Sequence, residues 1–492
     1  MAKLITTILL LSATTLKAYA VIPSLISPLQ GFIAILPQIL IIVVAALGTI
    51  FSLKMWRARL SKLKTFIAGH KALTVVILLV LIGGFSSGMI LLSSRSDRKP
   101  RLRGTASGEG FPESWPTFRG DVRRTGNPTD GPGPINSQIA WAFEDDEFRF
   151  GDFSSSPAPV EGKVYVGSAQ AMVFSSFGVV YCLNADDGGV IWKFKTKREI
   201  FSSPAVANGR VYIGEGLHRD VDSRLYCLDA ETGELLWDFQ TDSHVESSPT
   251  VVEDKVVFGG GEDGVYCLNA ETGELIWHFD GIHVDLSPAV ADGKVLIGTG
   301  YGDMGVYCLN LEDGELIWRH RTKYPIWGSP SVYKGRAYFG VGNGNFVESD
   351  PNPYGALLCL DLKSGDELWS YKVGDSVLTA PAVVGDRVYF GSRDGRLYCV
   401  DAKKGDLIWR YDAGSPVLSS PAVAGEFVYL GSQNGKIYAL DRIRGDLRWA
   451  FDIGVMAPSG TKVLSSPAVA DGRIYIGCSK GMLFSIGEGG NR

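Results

Sequence analysis

The chain has 492 residues, of which 60 are glycine and 11% are aromatic, a composition typical of a β-rich protein with many tight turns. Residues 1–103 carry 13 Lys and Arg residues and one acidic residue, Asp97, whereas the remainder carries 35 basic and 52 acidic residues. An acidic domain repels phosphate backbones, so no nucleic-acid partner is predicted.

Three apolar segments open the chain and predict a membrane anchor. Residues 1–20 combine Lys3, an apolar run and a small-x-small site that ends at Ala20. This pattern predicts a signal peptide cleaved after Ala20 or an uncleaved signal anchor. Residues 32–53 and 72–92 are each predicted to form a transmembrane helix, because about 20 apolar residues are enough to cross a bilayer.

The charges between these segments predict the orientation of the chain. The loop 54–71 carries six Lys and Arg residues and no acid, so the positive-inside rule places it in the cytoplasm. A polar segment at 93–114 reads as a flexible linker. Everything beyond it is predicted to lie on the periplasmic side of a bacterial inner membrane.

A repeated unit fills residues 139–486 and predicts an all-β fold. Each unit contains four short β-branched or aromatic segments bounded by Gly, Pro or Asp, which is the pattern of antiparallel strands joined by turns. A proline ahead of the first strand and a tryptophan in the fourth strand each recur eight times. The prolines are Pro157, Pro204, Pro249, Pro288, Pro330, Pro381, Pro421 and Pro467, and the tryptophans are Trp141, Trp192, Trp237, Trp277, Trp318, Trp369, Trp409 and Trp449. The sequence therefore predicts an eight-bladed β-propeller with four antiparallel strands per blade.

The two markers are out of phase at the chain ends, which predicts how the ring closes. Trp141 precedes the first proline marker, and the last unit ends at Ile486 without a tryptophan strand. Residues 139–143 are therefore predicted to supply the fourth strand of the last blade, which removes an open sheet edge. Residues 115–138 are then a lead-in segment and residues 487–492 a tail.

The tryptophan and cysteine residues of the repeat are predicted to be structural. A tryptophan at one fixed position of every unit is expected to pack between neighbouring blades. Six cysteines also share one position of successive units, so they are expected to be buried and unpaired rather than disulfide-bonded. These six are Cys182, Cys227, Cys267, Cys308, Cys359 and Cys399. The seventh, Cys478, is expected to be unpaired as well.

The segment from Cys227 to Trp237 resembles the tryptophan-docking motif of the PQQ-like (pyrroloquinoline quinone repeat) β-propeller family, and residues 115–126 are similar to its lead-in. One branch of this family, the quinoprotein dehydrogenases, binds pyrroloquinoline quinone and calcium over the propeller axis. The other branch, typified by BamB, consists of cofactor-free scaffolds. The chain has neither the adjacent Cys-Cys pair of many quinoprotein alcohol dehydrogenases nor a Cys-x-x-Cys-His haem motif. The resemblance therefore implies a BamB-like propeller with no cofactor expected.

Side chains three residues ahead of the proline markers are expected to point toward the mouth of the propeller. In blades three to five these are Glu246, Asp285 and Trp327, and His244 and His283 stand two residues before the acids. All five are candidate cofactor-binding residues, because carboxylates suit calcium, imidazoles suit transition metals and an indole suits a flat ring. The alternative is a solvated polar rim. No spacing enforces a ligand set, so no metal site is predicted.

The sequence predicts a non-enzymatic protein-interaction or assembly scaffold that docks a protein partner on its loop face or along its blade edges. No Ser-His-Asp or Cys-His arrangement is recognisable, so no catalytic residue is predicted. Two alternatives stay open. One is a PQQ-dependent dehydrogenase, for which Glu246, Asp285 and Trp327 would serve with calcium, and the other is an extracytoplasmic small-ligand or sugar-binding module. Loops on a rigid scaffold are where function usually lies, and those that are long or unusual here are 144–153, 169–178, 215–223, 341–355 and 453–464.

Overall fold

The protein is described by a computed structural model, which places residues 114–127, 132–147, 151–171, 176–218 and 220–488. In these residues 32 strands, numbered β1–β32 in chain order, form eight four-stranded sheets. Every pairing within a sheet is antiparallel, for example β10 with β11 and β11 with β12. The predicted all-β, eight-bladed propeller with four antiparallel strands per blade is confirmed.

The strands fall into four classes according to their place in a blade. The inner strands are β2 (Ala158–Val160), β6 (Ala205–Ala207), β10 (Thr250–Val252), β14 (Ala289–Ala291), β18 (Ile326–Tyr333), β22 (Ala382–Val384), β26 (Ala422–Ala424) and β30 (Ala468–Ala470). The second strands are β3 (Lys163–Ala171), β7 (Arg210–Gly214), β11 (Lys255–Gly259), β15 (Lys294–Thr299), β19 (Arg336–Gly342), β23 (Arg387–Gly391), β27 (Phe427–Gly431) and β31 (Arg473–Cys478). The third strands are β4 (Ser176–Asn184), β8 (Ser223–Asp229), β12 (Val265–Asn269), β16 (Gly305–Asn310), β20 (Gly355–Asp361), β24 (Arg396–Asp401), β28 (Lys436–Asp441) and β32 (Met482–Ile486). The outer strands are β5 (Val190–Lys195), β9 (Leu235–Thr241), β13 (Leu275–Phe279), β17 (Leu316–Arg321), β21 (Glu367–Val373), β25 (Leu407–Asp412), β29 (Leu447–Asp452) and β1 (Ile139–Glu144). A short 3-10 helix at Ile453–Val455 follows β29.

The predicted N-terminal segments lie outside the described residues. This holds for the signal segment 1–20, the helices 32–53 and 72–92 and the loop 54–71, and for the linker 93–114 up to its last residue. Within the described part of the chain, no helix has the length and apolarity that a membrane crossing requires.

Ring closure occurs through β1, as the sequence predicts. The sheet order of blade eight is β1-β32-β31-β30, and β1 pairs with β32 in antiparallel register, with Ile139 opposite Ile486. The N-terminal strand of the propeller thus completes the C-terminal blade. The side of β32 that would otherwise be an open edge is therefore paired with β1.

Neighbouring blades are held together by the repeated tryptophans. The Nε1 of Trp277 in blade three donates a 2.8 Å hydrogen bond to the Leu311 carbonyl of blade four, and its ring packs on Gly314. The same bond links Trp192 of blade one to Ala230 of blade two at 3.1 Å. The prediction that these residues pack between blades is confirmed, and all seven cysteines are buried and free as expected.

A ring of serine hydroxyls links the inner ends of the blades. The serine directly before a proline marker accepts a hydrogen bond from the backbone N–H at the same position of the preceding blade, as from Ser203 to Ser248 and from Ser248 to Ser287, both 2.9 Å. The Ser466 N–H donates in the same way to Ser156 across the point where the ring of blades closes. Blade six has Ala380 at this position, so the series has one gap, between Ser329 and Ala380. The Ser-Pro pairs of the repeat therefore satisfy buried donors around the channel.

The lead-in segment lies across the central channel. Its backbone exchanges hydrogen bonds with the inner strands of six blades, for example from the Trp115 N–H to the Pro159 carbonyl (2.7 Å) and from the Val383 N–H to the Thr125 carbonyl (2.8 Å). Inner strands are sheet edges, so these bonds pair N–H and C=O groups that would otherwise be buried without partners. Residues 115–127 thus form the floor beneath the loops of the propeller mouth.

Candidate functional site

Two sets of loops share one face of the propeller. They are the loops between second and third strands and the loops that lead from an outer strand to the next inner strand. On this face the loops 215–222, 242–249 and 280–288 belong to blades two to four and lie side by side. They carry the polar side chains predicted from the sequence, together with one that was not predicted.

Three imidazoles converge on one carboxylate at this place. The Nε2 atoms of His244 and His283 each lie 2.8 Å from the Oδ1 of Asp285, and the Nε2 of His218 lies 3.8 Å from its Oδ2. One ligand-type atom from each of these four residues lies within 4.8 Å of the others. We call these four residues the histidine cluster.

Two of the imidazoles are oriented by oxygen atoms on their outer side. The Nδ1 of His244 lies 3.1 Å from the Ser243 hydroxyl, and the Nδ1 of His283 lies 3.4 Å from the Oε1 of Glu262. Contacts of this kind fix the tautomer and the ring plane of a histidine. Both rings therefore present Nε2 toward the centre of the cluster.

The third imidazole is held by Glu246. The Oε1 of Glu246 accepts a 2.8 Å hydrogen bond from the His218 backbone N–H and lies 3.2 Å from the His218 Nδ1. The hydrogen bond with Glu246 raises the pKa of His218 to about 9, although partial burial acts in the opposite direction. His218 also presents its Nε2 inward, so the three rings share one orientation.

The cluster is partly enclosed and contains an ionised carboxylate. The side chain of His244 is 1% exposed and that of His218 is 55% exposed, so the cluster is buried at one end and open to solvent at the other. Burial acts to raise the pKa of Asp285, but hydrogen bonds from His244 and His283 hold it well below its ordinary value. The hydrogen bond with Asp285 in turn raises the pKa of His283. Asp285 therefore carries a negative charge at neutral pH in a partly enclosed position.

These residues do not fit the calcium ion that accompanies pyrroloquinoline quinone. Calcium takes six to eight oxygen ligands in proteins. The cluster offers three imidazole nitrogens, which suit transition metals, against the carboxylates of Asp285 and Glu246. The donor set thus departs from what a calcium–quinone site needs.

An aromatic surface lies on the same face, in blades four and five. The ring of Trp327 contacts Tyr301 edge-on at 5.4 Å and Phe346 at 6.1 Å between centroids. Phe346 is 48% exposed, Tyr301 is 54% exposed and the adjacent Val347 is 86% exposed. We call Tyr301, Trp327, Phe346 and Val347 the aromatic surface.

The structure brings together four of the five residues predicted from the sequence. Glu246, Asp285, His244 and His283 all belong to the cluster or contact it, whereas Trp327 lies in the aromatic surface. His218 was missed. It falls in the loop 215–223, which the sequence marks as long, but no repeat position marks the residue itself.

The fold and these two features define a closed eight-bladed β-propeller with a polar cluster and an aromatic surface on one loop face. The family model described as outer membrane protein assembly factor BamB matches residues 176–325, 264–352 and 306–492, which together exceed half of the chain. The chain therefore belongs to the PQQ-like β-propeller family. A comparison with curated proteins gave no match.

Solved structures of several kinds share the fold. BamB from Moraxella catarrhalis is 18% identical with a TM-score of 0.56, and the match covers 72% of this chain and 98% of that chain. A quinohemoprotein alcohol dehydrogenase from Comamonas testosteroni is 16% identical with a TM-score of 0.57, covering 77% of this chain and 81% of that chain. A second such dehydrogenase, from Pseudomonas putida, is 17% identical with a TM-score of 0.58, covering 78% and 83%. At these identities the likeness shows the fold alone.

Proposed function

We propose that this chain is a non-enzymatic protein-interaction or assembly scaffold, anchored in the bacterial inner membrane by residues 32–53 and 72–92, with the propeller on the periplasmic side. The observation that supports it best is the aromatic surface. Tyr301 and Phe346 are exposed beside the half-buried Trp327, and a contiguous apolar patch of this kind marks an interaction site. Aromatic side chains are enriched where interfaces gain most of their energy. Membership in the family of the BamB assembly factor points in the same direction.

The aromatic surface is pre-shaped for binding. The guanidinium of Arg393 donates hydrogen bonds to the carbonyls of Asn345 (2.9 Å) and Val347 (2.8 Å), and so fixes the loop segment that carries Phe346. The Tyr301 hydroxyl donates to the Asn343 carbonyl of the same loop. Because this loop is already held in place, its side chains lose little conformational entropy when a partner docks against them.

The charge around the surface indicates what kind of partner it fits. Glu348 and Asp350 follow Phe346 in the same loop, and the chain beyond residue 103 is acidic overall. Complementary charge at the rim of an interface favours the correct partner and speeds association. The expected partner is a protein segment with an apolar anchor flanked by basic residues.

Site-specific photo-cross-linking in intact membranes tests this proposal. A photo-reactive amino acid at position 346 of the full-length chain is expected to give a discrete cross-linked adduct, because the ring at this position lies in the docking surface. The matched control is position 443. Ile443 is also an exposed apolar residue, but it lies in the turn between β28 and β29 on the opposite face. Adducts of equal yield at both positions, or none at 346, would contradict the proposal.

Substitution of Phe346 measures how much this side chain contributes to the affinity for the partner. Phe346→Ala is expected to weaken binding of the cross-linked partner by about 10-fold or more, as truncation of an interfacial aromatic anchor does. Ile443→Ala is expected to leave the affinity unchanged. The measurement is titration of the purified partner onto the full-length chain in detergent, and equal affinities for the Phe346→Ala and parent chains would rule out this surface as the docking site.

A quinone titration separates the scaffold from the dehydrogenase alternative. The full-length chain in detergent is titrated with pyrroloquinoline quinone, with and without calcium, while tryptophan fluorescence and visible absorbance are followed. No saturable binding is expected, because the donor set of the histidine cluster does not suit calcium. Calcium-dependent binding at micromolar or tighter affinity would overturn the scaffold proposal.

A further inference from the structure

We infer that His218, His244, His283 and Asp285 form a binding site for a single divalent first-row transition-metal ion, with Zn²⁺ as its representative. This inference does not depend on the proposed function. One ligand-type atom from each of these four residues, which lie in three loops, is within 4.8 Å of the others. The loops belong to different blades, so the fold, and not a local sequence motif, assembles the donor set.

The geometry is close to that of a coordinated ion. Ligand atoms on a tetrahedral zinc ion lie about 3.3 Å apart, since Zn–N and Zn–O bonds are about 2.0–2.2 Å long. Three of the distances to the Asp285 carboxylate are 2.8 Å, and that from His218 is 3.8 Å. The four ligand-type atoms lie within 4.8 Å of one another, and His218 is the most exposed of the four and lies in a loop. Binding of an ion is therefore expected to draw the His218 Nε2 inward.

The outer contacts of the rings match those of metal-bound histidines. A ligating imidazole almost always donates its other N–H to an oxygen atom, which fixes the tautomer and raises the basicity of the ligand. Here every Nδ1 lies beside an oxygen atom, supplied by Ser243, Glu246 or Glu262. A solvated rim of unrelated polar residues gives no reason for three rings to share this orientation.

The packing of the rings also favours a bound cation. The centroids of the three imidazoles are 4.8, 5.0 and 5.8 Å apart, and all three rings face the single carboxylate of Asp285. Three imidazoles and one carboxylate at these distances are a donor arrangement that a single divalent transition-metal ion can bridge.

The donor types select the class of metal. Three imidazoles and one carboxylate suit zinc and its neighbours in the first transition row, while calcium and magnesium prefer oxygen atoms. The seven cysteines are free and buried in strands of the repeat, so thiolate ligation has no part in the site. Glu246 lies 3.8 Å from the His244 Nε2 and stands beside the ion as a second carboxylate.

Metal binding to the full-length chain tests the inference. The protein is purified in detergent without a polyhistidine tag, stripped with a chelator and titrated with Zn²⁺, and bound metal is counted by elemental analysis. One Zn²⁺ per chain is expected. Co²⁺ in its place is expected to give the visible d–d bands of a four-coordinate ion without the near-ultraviolet charge-transfer band of a thiolate ligand. Binding of no zinc, or of several ions with no defined stoichiometry, would overturn the site.

Variants assign the ion to these residues. His283→Ala and Asp285→Asn are each expected to weaken zinc binding by about 100-fold or more, since loss of a supporting partner alone costs 10–100-fold. His278→Ala is the matched control, because His278 stacks on Tyr266 outside the cluster. The melting temperature of the stripped chain is expected to rise on adding Zn²⁺, and this rise is expected to vanish in the cluster variants. Equal affinity in all three variants and the parent chain would mean adventitious binding only and would refute the inference.

Discussion

Replacing Arg124 by alanine is expected to lower the free energy of unfolding of the propeller by about 3–5 kcal/mol. The Arg124 guanidinium is fully buried in the channel floor and donates hydrogen bonds to the carbonyls of Phe118 (2.7 Å), Ser248 (2.8 Å) and Pro288 (2.7 Å). It donates a further bond of 2.6 Å to the Thr250 hydroxyl. One side chain therefore joins the lead-in segment to blades three and four.

The cost of losing this side chain comes mainly from the groups left behind. Burial lowers the pKa of Arg124 to about 9, although Asp121 acts against this, so the guanidinium is still charged at neutral pH. Bonds from a charged donor to buried carbonyls are worth more than neutral ones. Alanine removes this donor from the Phe118 and Ser248 carbonyls, whereas the Pro288 carbonyl keeps a 2.7 Å bond from the Thr250 hydroxyl. An orphaned buried polar group costs about 1–3 kcal/mol.

The neighbouring residue provides the control for this experiment. Arg123 is exposed, so Arg123→Ala is expected to change the free energy of unfolding by no more than about 0.5 kcal/mol. Arg124→Lys keeps the charge but loses the planar fork, and is expected to recover only part of the loss. Urea unfolding of the full-length chain in detergent, followed by tryptophan fluorescence, measures all three. A loss for Arg124→Ala no larger than that for Arg123→Ala would show that the floor does not stabilise the propeller.

The repeat carries enough information to predict the fold because each strand position is a packing position. Trp277 and its seven counterparts recur since every blade must bury the same surface against the next. The offset between Trp141 and Pro157 predicts the closure through β1, because without β1 the last blade would lack its fourth strand and β32 would have an unpaired edge.

The candidate site is only partly predictable, because function departs from the repeat. Glu246 and Asp285 could be found since they replace apolar residues at a repeat position. His218 occupies a loop with no counterpart in other blades. It approaches Asp285 only because the folded ring places their loops side by side. The contact of Phe346 with Trp327 was likewise not predictable, because Phe346 lies in a long loop of the same blade and has no fixed position in the repeat.

The burial of two arginines in the lead-in segment could not be predicted from the sequence. Residues 115–126 could be identified by resemblance, but nothing in them shows that Arg119 and Arg124 turn inward. Arginine is almost always exposed, and burial needs several acceptors at once. Those acceptors are carbonyls just ahead of inner strands more than 100 residues away, such as Pro288 and Ser420.

The second large effect is expected at a glycine that receives a tryptophan ring. Gly314 lies in the turn between β16 and β17 with φ +73°, and a Cβ added there would lie 2.7 Å from the ring of Trp277. Gly293 of the same blade has φ +69°, but a Cβ added there meets nothing within 4 Å. Gly293→Ala is therefore expected to cost only the backbone strain of a left-handed alanine, about 1–2 kcal/mol.

Gly314→Ala is expected to cost about 1–3 kcal/mol more than Gly293→Ala, because the added methyl group also forces the Trp277 indole out of its seat. The displaced ring would strain or break its 2.8 Å hydrogen bond to Leu311, the contact that ties blade three to blade four. Urea unfolding of the two variants side by side isolates this docking energy, since the backbone strain is common to both. Equal losses would mean that the tryptophan seat adds little, and blade adjacency would then have to rest on the inner strands, the serine ring and the lead-in segment alone.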